Sequence, residues 1–600
     1  MSEVLVETRE ERRAAGADGR VASLLTAPAP QVKTHRWATS FTVADGLMLL
    51  IGLLAAVARF VNLGAQPLSP AEADAALTSW QFARGVPLTA APDSPAYFTF
   101  TSLIMSLGGD GDAAARLAPA VFGLLTVLLP WLWRGRFRPA VWLTAGALLA
   151  VSPIQMIVSR TAGGEAIALF ALLLLAVAAA RLGDGERWGM AAGAALGLGL
   201  TSAPLFYTGL LAFAPAWWVF GSFEEVDRAK ARAVALSAGV VFLAVAAGGL
   251  FYPQGLGGAL GLLPAWLAQF GLTGGTATLL GPWLTLLRYE PALLVLGLPA
   301  AVWALGRDMA VGRQMALWLG LLLLLLLLQS SAPQQAAAAL APGYLLIGLM
   351  AGGLLAEALP RAERRRVWLV GGGLALLGMT LLISMGRFTK LGLWTGAQAS
   401  LVGLAVMAFV FAGIAVVVAL AWENSAARRG AFLGIILLLF YWQWGTGWHL
   451  SQQAANDPGE RWVTVGTDDD VPLLMNLLGR VSRQTANSNT DLEVFSTVDS
   501  PVLRWYFRHF GRFMAGATLP VDTTAAVVVT PDDEQPQLPS DYFGADFGLE
   551  QHEVIGAPLF TEGGSPLAET LNAWLFHEST TPLIQQRIVV WLRSDLATAE

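Results

Sequence analysis

The chain of 600 residues is 55% hydrophobic and 13% charged, with 22 Trp, 64 Gly and no Cys. Soluble domains carry charge on roughly a quarter of their residues, so a water-soluble protein is excluded, as are disulfides and thiolate metal sites. The net charge of −6 conceals a division: residues 451–600 hold 8 Lys+Arg against 21 Asp+Glu, and residues 1–450 hold 29 against 22, which points to two compartments.

Residues 1–42 contain charges, Pro and Gly but no short apolar core with a cleavage site. They read as a disordered cytoplasmic tail rather than a signal peptide. Over residues 43–450, about thirteen apolar runs approach the ~20 residues needed to cross a hydrocarbon core of ~30 Å. They lie at 43–62, 113–133, 139–158, 163–181, 187–203, 205–221, 233–251, 290–306, 314–331, 335–357, 367–386, 398–421 and 430–449. With the N-terminus inside, 22 basic residues fall on the tail and inner loops and seven on the outer side before residue 451. The positive-inside rule favours that orientation, and an odd number of spans then puts residues 451–600 outside the plasma membrane.

Two outer loops are long. Residues 64–112 include "SPAYFTFTSLIMSLGG" and residues 252–289 include "LPAWLAQFGLTGGTATLLGPWLTLLRYE", with Trp266 and Trp283 among Leu. Both read as helices lying in the membrane interface. Beyond residue 450 the pattern changes. "DDDVPLLMNLLGRVS" and "PVLRWYFRHF" read as helices, "DLEVFST", "TAAVVVTP" and "QRIVVWLR" as strands. The expected fold is an all-α polytopic membrane bundle with an acidic, extracytoplasmic α/β domain over 451–600.

Charges at membrane depth persist mainly where they line a cavity or meet a charged ligand. Arg59, Glu72, Asp74, Asp93, Arg116, Arg160, Glu165 and Arg288 all fall at outer ends of spans or on outer loops. Guanidinium groups bind phosphate bidentately and their stems pack on acyl chains. A carboxylate beside such a phosphate is suited to act as general base toward a hydroxyl. The plain alternative is that the arginines snorkel and the acids are solvated. Glu72 and Asp74, two residues apart, point about 200° apart on a helix, so only one of them faces a shared site. Pro70 suits a helix start, where acids are favourable in any case. The acidic run at 467–471 reads as a helix start, and "GLGGALG" and "VGGGLALLG" as close helix packing. There is no nucleic-acid signature.

"SPAEADAALTSWQFARG", "DSPAYFTFTSLIMSLGGDGDAAARLAPAVFGLLTVLL" and "LLAVSPIQMIVSRTAGGEAIALFALLLL" together resemble the GT-C membrane glycosyltransferases. The group is similar to dolichyl-phosphate-mannose protein mannosyltransferases, within it the branch labelled flippase-activity-associated. The resemblance covers residues 43–182 and is topological beyond. It implies transfer of a sugar from a polyprenyl-phosphate donor to a protein, lipid or glycan acceptor at the outer face, with inversion. No resident cofactor is implied, although some relatives use a divalent cation. The family's Asp-Glu pair maps onto Ala71-Glu72, so the Asp position is alanine, and its His-Gly-Pro motif maps onto Asp93-Ser94-Pro95. The resemblance makes Glu72 the candidate base, Arg116 and Arg160 phosphate ligands, and Asp93 and Glu165 further substrate contacts; their outer positions add Asp74 as a rival base and Arg59 and Arg288 as substrate contacts. Ala71 equally suits a non-catalytic protein that binds a lipid-linked glycan as a scaffold or an accessory to its flipping. A secondary transporter would carry paired inverted repeats and more mid-span acids.

Overall fold

The computed structural model describes residues 41–597 except 89–90, 222–226, 271–280, 330–331, 356–360, 391–409, 411–424, 461, 487, 540, 554–572, 575 and 578–582. Apart from residues 41–42 and 410, the tail expected over 1–42 and the span expected at 398–421 lie outside the described residues.

The first helix, α1 (Val43–Phe60), starts at a capping box. The Asp45 amide donates to Thr42 Oγ1 at 3.3 Å and the Thr42 amide to Asp45 Oδ2 at 2.9 Å, so two otherwise orphaned donors are satisfied. Two shorter helices follow, α2 (Pro70–Ala83) and α3 (Pro95–Leu107), each opened by Pro at its first turn and by a serine cap. Next come α4 (Asp112–Leu128), extended by a 3₁₀ turn to Trp133, then α5 (Pro139–Val151), α6 (Pro153–Val158) and α7 (Glu165–Ala179).

Among the described residues, seven helices are long and apolar enough to cross a membrane, or eight if the bent pair Gly281–Tyr289 and Leu293–Leu305 is one span. The structure does not confirm thirteen. The expected span 139–158 is broken at Ser152-Pro153, where proline offers no amide to the ladder and turns the preceding residue out of the helix. The expected span 290–306 is the second arm of a pair bent by 94°. The helices Pro139–Val151, Glu165–Ala179 and Pro204–Phe220 have 13, 15 and 17 residues, or ~20–26 Å at the α-helical rise.

The bundle's core is continuous and apolar, built from α5, α7 and the helices Pro204–Phe220, Ala310–Leu328 and Leu340–Leu355. Beyond Gln452 the chain forms a mixed α/β region. Six strands are ordered β1-β5-β6-β4-β2-β3: β1 Val465–Thr467, β2 Glu493–Ser496, β3 Arg512–Ala515, β4 Val527–Pro531, β5 Tyr542–Glu553 and β6 Leu583–Arg593. Strands β2, β3 and β4 pair in parallel; the β4–β6, β6–β5 and β5–β1 pairs are antiparallel. Helix Pro501–Phe507 presses this region onto the bundle. Trp505 Nε1 and the Tyr506 hydroxyl donate to the two Asp112 oxygens at 2.8 and 2.7 Å, and the Leu68 amide donates to Tyr506 Oη at 3.0 Å. Both ends of the loop 64–112 are thereby pinned by one short helix.

Candidate functional site

Helix α2 begins at a capping box that fixes Glu72. Its Oε2 accepts from the Ser69 amide at 3.0 Å. Arg116, from α4, gives both carboxylate oxygens a bond, Nε to Oε1 at 2.9 Å and Nη2 to Oε2 at 2.8 Å. The Ala162 amide supplies a fourth donor at 2.7 Å. Glu72 is 4% exposed and Arg116 4%. Burial raises the Glu72 carboxyl, but Arg116 and the Ala162 and Ser69 amides outweigh it and hold the group below the usual glutamate range. Four donors on one buried carboxylate make a structural anchor.

The arginines have partners of the same kind. The remaining guanidinium bonds of Arg116 go to the carbonyls of Gln66 and Pro67 at 2.8 and 3.0 Å. Arg160 donates to the carbonyls of Arg59, Val61 and Asn62 at 3.0, 2.8 and 3.0 Å. Those carbonyls close the end of α1, where the last turn has no intrahelical donors. Arg59 does the same for α5, donating to Ala150 at 2.5 Å and Leu149 at 3.1 Å, and it also bonds Gln155. The Ser152-Pro153 break exposes those carbonyls and the buried guanidinium fills them. Arg288 pairs with Glu460 at 3.1 Å and lies against His577. Arg59, Arg116, Arg160 and Arg288, expected as phosphate ligands (Arg116, Arg160) or substrate contacts (Arg59, Arg288), are not among the residues lining the cavity beside them. Their donors already serve backbone carbonyls and carboxylates.

That cavity, about 700 Å³, opens between α2, α3, the start of α7 and helix Gly255–Leu267, with Trp462 and Val463 closing one side. Ala71, Glu72, Asp93 and Glu165 line it. Glu72 shows the cavity the edge of an occupied carboxylate. Glu165, the first residue of α7, takes only its own backbone amide and has no other polar partner among the described residues. Asp93 is exposed and also unpartnered among them. Asp74 is exposed on α2 and is not among the lining residues. Partial burial and then the neighbouring Asp93 raise its carboxyl, with Arg504 opposing. The 200° separation of Glu72 from Asp74 is realised, but the inward member is the anchored one.

Sequence reasoning passed over the far wall. Gly257 and Gly261, one helical turn apart, line the cavity, and a Cβ at either would meet nothing within 4 Å. Gly255 and Gly258 pack closely, their Cβ positions blocked by the Ala246 and Pro92 carbonyls. The glycine run gives close packing, as expected, at Gly255 and Gly258 and cavity space at Gly257 and Gly261. A second missed group is Glu290, at the bent pair: it accepts from Ser152 Oγ at 2.5 Å, the Ile154 amide at 3.0 Å, Gln443 at 2.7 Å and the Tyr344 hydroxyl. It locks the bend and faces no cavity. Its signal, an acid beside Pro291 between apolar runs, was present in the sequence. Among the described residues no three His, Asp or Glu side chains gather as a metal site. Two unpaired carboxylates alone could hold a divalent cation only together with substrate oxygens.

Residues 92–252 match the family described as dolichyl-phosphate-mannose-protein mannosyltransferase. ArnT from Cupriavidus metallidurans in its apo state aligns at a TM-score of 0.51 and 16% identity, over 82% of this chain and 94% of that one. The chain has a GT-C glycosyltransferase fold. The same ArnT bound to undecaprenyl phosphate gives 0.49 at 16% identity, over 82% and 94%. The apo oligosaccharyltransferase of Archaeoglobus fulgidus gives 0.44 at 12%, over 80% of this chain and 65% of that one. At these identities the likeness speaks for the fold, and the apo ArnT alignment carries it. No curated protein matches the chain.

Proposed function

We propose that this chain is a membrane glycosyltransferase that takes a sugar from a polyprenyl-phosphate donor, with Glu165 as general base. The observation that carries the reading is the pair of unengaged carboxylates, Glu165 and Asp93, on one cavity of a GT-C fold. Glu165 accepts the proton of the acceptor hydroxyl, whose oxygen bonds to the anomeric carbon. The bond from that carbon to the phosphate oxygen breaks, and polyprenyl phosphate leaves with the electron pair. Inversion follows from the family resemblance. Asp93 orients the acceptor, and Asp74 stands at the rim. The donor phosphate meets backbone donors at the starts of α7 and of helix Pro204–Phe220, whose Gly163, Gly164, Ser202 and Ala203 line the cavity. Helix N-termini favour anions. Arg59, Arg116, Arg160 and Arg288 hold the surrounding helix ends in place.

The reading includes a cytoplasmic N-terminus, the cavity and the acidic 451–600 region outside the plasma membrane, a span count near thirteen, and kinship with the flippase-associated branch. The acceptor is a protein, lipid or glycan hydroxyl.

One observation favours a second reading, a non-catalytic binder of lipid-linked glycans. Ala71 stands exposed on the cavity, where the resemblance places an acid. The test is consumption of a polyprenyl-phosphate sugar by the purified protein in lipid with a broad acceptor mixture, beside Ala71→Asp. Wild-type turnover that Ala71→Asp leaves within a few-fold supports the enzyme. A wild type that binds donor without consuming it, and gains turnover through Ala71→Asp, supports the binder.

A further inference from the structure

A second cavity, about 600 Å³, lies at the other end of the same helices. The first cavity touches the start of α7 and the loop before it. The second is lined by the far ends, Leu125, Leu128 and Leu129 of the α4 segment and Phe170 and Leu174 of α7. Along α7, Glu165 of the first cavity is five residues from Phe170 and nine from Leu174 of the second, or ~8–14 Å at the helical rise. Its walls are leucines and one phenylalanine, and Leu125 and Leu132 are 40% and 39% exposed, so the groove opens sideways toward the surroundings of the bundle.

Arg134 and Arg181 line its mouth beside Trp131. Arg134 pairs with Asp45 at 3.1 Å, and Trp131 Nε1 donates to the same Asp45 oxygen at 2.9 Å. Arg181 Nε donates to Asp184 at 2.7 Å, Nη1 donates to the Leu132 carbonyl, and the guanidinium lies 4.2 Å from the Trp188 ring centroid. Arg136 reaches Asp184 at 3.9 Å. At this end Arg134 meets Asp45 from α1, and Arg136 and Arg181 meet Asp184. Three cations against two acids leave these contacts with one net positive charge. Basic pockets between membrane helices bind anionic headgroups, and arginine couples a phosphate contact with an apolar stem.

We infer that this groove is a binding site for an anionic glycerophospholipid, one acyl chain between α4 and α7 and the headgroup phosphate at Arg134 and Arg181. The apolar wall, the sideways opening and the surplus of positive charge at the same mouth are the three features such a lipid matches. The volume, in the range of sites for drug-sized ligands, suits one acyl chain rather than a long polyprenyl chain. Occupancy here would wedge the ends of α4 and α7, the two helices whose other ends hold Arg116 and Glu165.

The test is native mass spectrometry of the detergent-released full chain after exchange into phosphatidylglycerol, phosphatidylcholine or undecaprenyl phosphate. Wild type retains phosphatidylglycerol at least several-fold over the other two. Leu174→Trp fills the groove without changing charge and loses that retention. Arg134→Gln with Arg181→Gln brings phosphatidylglycerol down to the phosphatidylcholine level. Unchanged melting temperatures in both variants show that the fold is intact; where one falls, Leu128→Phe replaces it as the groove-filling probe. Equal retention of phosphatidylglycerol and phosphatidylcholine by wild type, preference for undecaprenyl phosphate, or full phosphatidylglycerol retention in a folded groove-filled variant would each overturn the inference.

Discussion

Glu72 and Glu165 line one cavity and differ in their partners. Glu72 holds four donors, two of them from Arg116. Glu165 holds only its own amide. An acid saturated by its own fold has no lone pair to offer an incoming hydroxyl, whereas an unpartnered one beside open space does. The arginines repeat the lesson from the other side. A guanidinium at a helix end is as well satisfied by backbone carbonyls as by a phosphate, and Arg59, Arg116 and Arg160 have carbonyls within reach. Charge near a membrane therefore marks a candidate, and its partners decide what it does.

Breaking the anchor gives the largest effect. Arg116→Met leaves Glu72 buried without its cation, which costs about 3–5 kcal/mol. The melting temperature of the protein in detergent should drop sharply, and Glu72→Gln in the same chain should recover part of it. An unchanged melting temperature in Arg116→Met would mean that the pair is not an anchor.

Filling the cavity separates site from scaffold. Gly261→Leu projects into open space and improves helix propensity by up to ~1 kcal/mol. Turnover should fall at least tenfold while the melting temperature holds or rises. Full activity in Gly261→Leu would move the substrate path elsewhere.

The smallest effect is in pH. The Glu72 carboxyl sits below its ordinary value of 4.5 in the folded protein, so its contribution is complete above that value and is lost as pH falls toward the folded pKa. The melting-temperature difference between wild type and Glu72→Gln should be flat from neutral pH down to about pH 5 and shrink only below the ordinary glutamate range, with an acid decline in wild type. In Glu72→Gln that acid decline should be shallower. A difference that begins to shrink near neutral pH would contradict the anchored carboxylate.

Much of this was legible in the chain. The apolar runs announced a membrane bundle, and the helices at 470–486 and 501–507 and strands β2, β4 and β6 fall where alternation and turn residues put them. Strand β5 was not legible, since "YFGADFGLEQHE" mixes glycine and charge and gains its order from the long β6 beside it. The structure confirms seven or eight of the expected spans among the described residues and not thirteen, because apolarity does not report length after a break: Ser152-Pro153 divides one run, and Glu290 fixes a sharp bend in another. All eight candidate charges lie within a few residues of helix ends. Which of them face the cavity depended on contacts such as Ala162 to Glu72, 90 residues apart, and no local pattern encodes these.

The central claim is that Glu165, and not Glu72, is the base. The most direct measurement is single-turnover consumption of a polyprenyl-phosphate sugar by wild type, Glu165→Gln and Glu72→Gln, each with its melting temperature and donor affinity. The account predicts a loss of ~10²–10⁴ in rate for Glu165→Gln, with donor affinity and melting temperature close to wild type, and a lowered melting temperature for Glu72→Gln whose folded fraction still turns over. Near wild-type turnover in Glu165→Gln, with a stable but inactive Glu72→Gln, would contradict it and return the base to Glu72.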